Sequence, residues 1–195
     1  WRPSFLEASK FYVEQEKPII LDPVGSGASK LRTQTCLDII NVSKKLIIRG
    51  NASEIQSLVD QNKISSKGVD SSIESHAAIE SGKILSKEND CVVFISGGDD
   101  FIIYDEKITK ISNGSSIMTK VTAIGCSLSC IVGAFAAVGE SLYKSAISSA
   151  AIFSIAGEIA ASNSEGPGDF QVNFLNKLNN ITEKEILDNL KITSV

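Results

Sequence analysis

Three short apolar runs, "PIILD" (18–22), "LIIR" (46–49) and "CVVFIS" (91–96), constrain this chain more than any other feature. Each is rich in β-branched residues, too short for a helix and bounded by Gly, Pro or Asn, so each reads as a buried strand. Between them the spacing predicts helices over 31–42, 53–62 and 71–85. Strand and helix alternate. Right-handed βαβ crossovers then predict an α/β fold of three layers, α/β/α, with a mainly parallel sheet and helices on both faces. The run "FIIYDEKITKI" (101–111) reads as a hairpin turning at "DEK". From Cys126 onward small-residue segments over 127–138 and 141–161 predict helices; "SEGPGDFQ" breaks the chain and sets Asp169 to cap another.

The composition decides what such a fold can serve. With 195 residues and 43% hydrophobic content, the chain is long enough to bury about 70% of its unfolded surface in one core, so one domain over 1–195 is expected. Nineteen Lys and Arg face 23 Asp and Glu, and no basic cluster is interleaved with aromatics, which argues against nucleic acid as a partner. Apolar stretches are cut by Ser, Gly, Glu or Lys before the length of a bilayer helix, and "WRPSFLEASK" lacks the apolar core of a signal peptide. No membrane contact and a cytoplasmic location are therefore expected. Four cysteines without CxxC spacing and a single histidine suggest neither a zinc site nor a disulfide framework.

In open parallel sheets the ligand crevice lies beyond the carboxyl ends of the strands. Here those ends read "DPVGSG", "RGNASE" and "SGGDD". Asp22 ends the first strand, Pro23 stiffens the turn, and Gly25 and Gly27 permit positive φ or a close approach of the backbone to a ligand. The same stretch also suits an ordinary βα loop capped by Ser29, and it matches neither GxGxxG nor a P-loop. Arg49 places a fixed cation beside a helix N-terminus capped by Asn51 or Ser53, and both features attract phosphate oxygens. Glu54 either closes a capping box or, with Asp22, holds Mg²⁺ through water. Ser96 and the glycines after it offer a hydroxyl and amides, or simply a turn. Asp99 and Asp100 read as the start of the hairpin, and His76 as a surface or partly packed residue.

"VTAIGCSLSC" (121–130) puts Cys126 at the first turn of a helix, where the positive end of the macrodipole favours the thiolate. The amides of Gly125, Cys126 and Ser127 form an anion site there. The alternative is a buried small hydrophobe, which is the expectation for Cys36, Cys91 and Cys130. An enzyme that deprotonates a hydroxyl as a phosphoryl group arrives needs a base and phosphate donors in one place, and such a helix start supplies both.

Taken in order, "ILDPVGSGAS", "RGNASEI", "GVDS", "VTAIGCSLS", "AGEIAA" and "GPGDFQ" resemble the hydroxyethylthiazole kinase family of the ribokinase-like superfamily, over about 18–174. The resemblance implies a ribokinase-like fold and transfer of the ATP γ-phosphate to the hydroxyl of 4-methyl-5-(2-hydroxyethyl)thiazole, with Mg²⁺, in thiamine salvage. It implies ATP-binding roles for Arg49, Ser96 and Asn51, magnesium and phosphate roles for Asp22 and Glu54, and the catalytic position for Cys126, where most ribokinase-like enzymes carry aspartate. It also implies a substrate and anion-hole role for Gly25, Ala123 and Gly125, with Ala123 replacing a glycine found in many members; positive φ at that alanine is strained. Family members are trimers with sites between subunits, which implies a homotrimer. They carry further N-terminal βα units that contact the thiazole, and none precedes "PIILDPVG", so the chain is expected to be N-terminally incomplete, or part of a fusion with thiamine-phosphate synthase. Two other readings are a non-catalytic nucleotide-binding or assembly module, and a kinase of a related alcohol such as hydroxymethylpyrimidine or a pyridoxal-type compound. Relatives of the last kind usually carry aspartate where Cys126 stands.

Overall fold

The computed structural model describes residues 2–60 and 71–195; Gly68–Asp70 of the "GVDS" stretch, and the last two residues of the helix expected over 53–62, lie outside them. The order of elements is α1 (Arg2–Glu14), β1 (Ile19–Leu21), α2 (Lys30–Val42), β2 (Leu46–Asn51), α3 (Ala52–Val59), α4 (Ser71–Asn89), β3 (Val92–Ser96), β4 (Asp100–Tyr104) and β5 (Lys107–Ile111). There follow a 3-10 turn (Ser116–Lys120), α5 (Ile124–Val138), α6 (Leu142–Ser162), α7 (Pro167–Asn180), α8 (Glu183–Asn189) and β6 (Ile192–Ser194).

The six strands form one sheet in chain order. β1, β2 and β3 are parallel neighbours, as their helical connections require. β3, β4, β5 and β6 run antiparallel, because a two-residue turn with Asp105 at φ 52° joins β4 to β5 and the C-terminal segment returns beside β5. Helices cover both faces. One apolar cluster joins α2, α3 and α4 to Leu46, Ile48, Val93, Ile95 and Ile103. The other joins α5, α6 and α7 to Ile47, Val92, Phe94, Ile102 and Ile111. β1 to β5 serve the two clusters with alternate residues, whereas β6 is exposed.

Local chemistry fixes the helix starts. Ser29 accepts the Arg32 amide at α2, and Asn51 and Glu54 form a reciprocal capping box at α3. Thr182 and Glu185 do the same at α8, while Asp169 in the first turn of α7 accepts the Gly166 and Glu165 amides, as expected of it. α6 is long and apolar enough to cross a bilayer by length and composition, against the expectation that polar residues interrupt every such stretch. It is the core helix of the α5–α7 layer, with 61% of that window buried, and Phe153 on it packs edge-on against Phe174 of α7 at 4.9 Å.

Candidate active site

The strand alternation that builds the core also aims three polar side chains at one helix. Ile20, Ile47 and Phe94 belong to the α5–α7 layer. Two residues further along, on the same face, stand Asp22 just past β1, Arg49 on β2, which runs on to Asn51 beyond the end expected at 49, and Ser96 at the end of β3. Arg49 is buried and connects them. Its Nη1 donates to Asp22 Oδ2 and to the Gly125 carbonyl, each at 3.2 Å, and its Nη2 donates to Ser96 Oγ at 2.7 Å. Its Nε is buried with no partner among the described residues. The bond to Gly125 draws the first turn of α5 over the strand ends. A Cβ on Gly125 would stand 3.1 Å from Arg49 Nη1, so a glycine suits this approach.

α5 begins without a side-chain cap. Ala123, its N-cap, has φ 68° and ψ 9°, a left-handed conformation that is strained for an alanine. Cys126, in that first turn, is exposed, and the amides opening a helix have no intrahelical acceptor, but the Ser127 amide, expected in the anion site, donates to the Ala123 carbonyl at 2.9 Å. Cys36 and Cys91 are buried, and burial pushes their thiols up to about 11 and about 12. Cys130 departs from expectation. It lies one turn beyond Cys126 and is exposed, because the wall that α5 turns to the core is built of Leu128, Val132 and Ala136 instead.

Arg49 separates two clefts. The smaller, about 260 Å³, is charged: Asp22, Glu54, Asn51 and Cys126 line it with Arg49, Ala123 and Gly125. The larger, about 680 Å³, lies between the Gly97–Gly98 turn, the 113–119 loop and α6, with Met118, Val121, Leu128 and Phe153 giving it an apolar side. Ser96 lines the larger one, whereas Asn51 opens only on the smaller. Gly25 lines neither cleft; its φ of 74° shapes the turn, and its amide donates to Glu54 Oε1 at 3.1 Å. Glu54 Oε2 accepts the Asn51 amide at 3.0 Å, so Glu54 fills the capping role and faces the cleft at once.

Two contributors escaped the sequence reading. Ser129 donates to Asp22 Oδ2 at 2.7 Å; its three-residue spacing from Cys126 on one helix was the available signal. Asp100, read only as a hairpin start, is buried on the wall of the larger cleft and accepts the Gly97 amide at 3.1 Å. Burial pushes its carboxyl up to about 7, although the Gly97 amide and Arg49 pull it down. His76 is exposed and lines neither cleft.

Among the described residues no three His, Cys, Asp or Glu side chains cluster as a metal cage. Mg²⁺ seldom uses one. It keeps waters and takes one or two carboxylates plus substrate phosphates, and the Asp22 and Glu54 carboxylates on one small cleft fit that mode.

A sheet flanked by helices, with charged strand ends meeting a helix start, is the arrangement of the ribokinase-like small-molecule kinases. The pyridoxal kinase of Staphylococcus aureus superimposes with a TM-score of 0.63 over 100% of this chain and 68% of its own; at 14% identity this speaks for the fold alone. The profile of the hydroxyethylthiazole kinase family matches residues 2–184, and the chain belongs to that family. The hydroxyethylthiazole kinase of Psychromonas ingrahamii is 45% identical over 99% of this chain and 71% of its own length. That of Leptospira biflexa is 46% identical over 91% and 66%. The solved hydroxyethylthiazole kinase structure from Pyrococcus horikoshii gives a TM-score of 0.88 at 30% identity, covering 100% of this chain and 72% of that one.

Proposed function

We propose the following division of labour for the family's reaction at this site. The chain is a kinase that transfers the γ-phosphate of ATP to the hydroxyl of hydroxyethylthiazole. The nucleoside occupies the larger cleft, whose Met118 and Phe153 side accepts a flat base, and Ser96 and Arg49 receive the phosphates. The end of the triphosphate and the acceptor alcohol meet in the smaller cleft, with Asn51 beside them. The alcohol oxygen bonds to the γ-phosphorus as the bond to ADP breaks, and the hydroxyl proton passes to Cys126 Sγ. Amides at the start of α5, including that of Gly125, hold the charge of the transferring group, and Ala123 keeps the backbone turned toward it. Mg²⁺, held from Asp22 and Glu54, supplies charge neutralisation on the phosphate oxygens.

One observation carries this reading: Arg49 touches Asp22, Ser96 and the first turn of α5 together, so a single cation on β2 joins the carboxyl ends of β1 and β3 to the helix that bears Cys126. In Cys126→Ala, nucleotide binding persists while turnover falls by about 10²–10⁴-fold, the usual size of a lost general base. Cys126→Asp keeps much of the activity, since a short carboxylate also accepts the proton. Undiminished turnover in the alanine variant would remove the base assignment. In the same reading the protein is a cytoplasmic homotrimer, and sedimentation equilibrium tests the assembly.

A further inference from the structure

The larger cleft holds a charge that its proposed occupant opposes. Asp100 opens β4 as a residue only 8% exposed, and its Oδ1 accepts the Gly97 amide. That bond fixes the Gly97–Gly98 turn, which lines the cleft together with Asp100 and Arg49. Its neighbour Asp99 is paired with Lys110 at 2.8 Å, whereas no Lys or Arg among the described residues forms an ion pair with Asp100. Of the charged groups around it, Arg49 from β2 attracts its proton-free form and Asp99 repels it. The 113–119 loop and α6 bring only neutral side chains to the cleft, among them Asn113, Thr119, Phe153 and Ser154.

A neutral carboxyl serves the turn as well as a carboxylate does, because the acceptor oxygen for Gly97 is present in both. The two differ toward a polyanion, which an unpaired buried carboxylate repels across a medium of low dielectric. We propose that Asp100 is a positioning residue that works in its protonated form: nucleotide binding draws one proton from solution onto Asp100 Oδ2, while Oδ1 keeps the Gly97–Gly98 turn against the phosphates. Burial raises this carboxyl to about 7 even against the Gly97 amide and Arg49, so the proton is taken up readily near neutral pH. The inference rests on the larger cleft being the nucleotide site.

Binding of Mg²⁺·ATP by the purified protein and by Asp100→Asn, measured from pH 6 to pH 9, tests it. Titration of the nucleotide and of other residues is common to both proteins, so the difference between the two curves isolates Asp100. The affinity of the unsubstituted protein falls above pH 7 by up to about tenfold per pH unit relative to Asp100→Asn, the slope of one linked proton. Calorimetry at pH 8 in buffers of different ionisation enthalpy gives a second reading on the unsubstituted protein alone: an uptake approaching about one proton per nucleotide. Parallel curves for the two proteins, or no net proton uptake, overturn the role of Asp100 and leave the nucleotide site standing. Failure of the unsubstituted protein to bind nucleotide at any pH overturns the site itself, and the inference with it.

Discussion

Arg49 spends two nitrogens on three partners from β1, β3 and α5, which no single ammonium can reproduce. Arg49→Lys therefore weakens nucleotide binding by roughly 10–100-fold, the worth of one or two charge-assisted bonds, while circular dichroism stays that of the parent. An unchanged dissociation constant would show that the fork is structural only. At Ala123 the backbone, not the side chain, is at issue. Its φ of 68° costs about 1–2 kcal/mol in an L-residue, and glycine removes that cost while losing about 0.4–1 kcal/mol through its freer unfolded chain. Ala123→Gly should gain up to about 1 kcal/mol in denaturant unfolding, and a loss of stability would argue that the alanine methyl is packed after all.

At the scale of elements, the connection from α5 to α6 is the tightest joint in the layer that carries the site. Gly139 ends α5, and a Cβ there would lie 2.2 Å from Ser145 Oγ and 2.9 Å from the Phe135 carbonyl. The carbonyl is fixed by the helix, so the helices would have to part, and Ser145 would lose its bond to Phe135. Gly139→Ala is expected to destabilise by about 1–3 kcal/mol, read as a lower urea midpoint with an unchanged slope. The strand ends show the same economy: β2 passes into α3 with no loop between them, because Asn51 is both the last strand residue and the N-cap. That direct passage is what lets Arg49, Asn51 and Glu54 face a common cleft.

Across the whole molecule, buried Asn113 joins parts distant in sequence. It donates to Glu158 of α6 and to the Asn189 carbonyl of α8, and accepts the Lys191 amide, so the C-terminal strand is tied to the loop that walls the larger cleft. Burial pushes Glu158 upward, yet Lys191 and Asn113 together hold it below the usual carboxylate range. A depressed carboxyl stabilises the fold above its unfolded value and that contribution is lost as the pH falls through the folded one. Asp100 acts in the opposite sense: its raised value favours the fold at low pH, and that contribution is lost as the pH rises through about 7. Thermal stability should therefore peak near the ordinary carboxylate range and decline from there toward about 7, and Asp100→Asn should flatten only that alkaline side. An alkaline decline that survives the substitution would assign it to another group.

The alternation of strand and helix was legible in the sequence, since period two and helical spacing are local properties, and so were the hairpin at 101–111 and the capping by Asp169. The placing of Asp22, Arg49 and Ser96 toward the carboxyl ends was legible for the same reason, although β2 runs two residues past Arg49. Their convergence was not: that α5 covers this face and lays its first turn on Arg49 depends on packing between segments about 76 residues apart. The exposure of Cys130, the seat of Ser129 on Asp22 and the burial of Asp100 follow from the same packing. A three-residue strand such as β6, exposed throughout, carries no apolar period to announce it. Local spacing set which faces are apolar and where α2, α3 and α6 begin, while α1 and α8 carried no signal that was read; which polar ends meet was settled by packing, because burial and charge pairing are properties of neighbours the chain brings from afar.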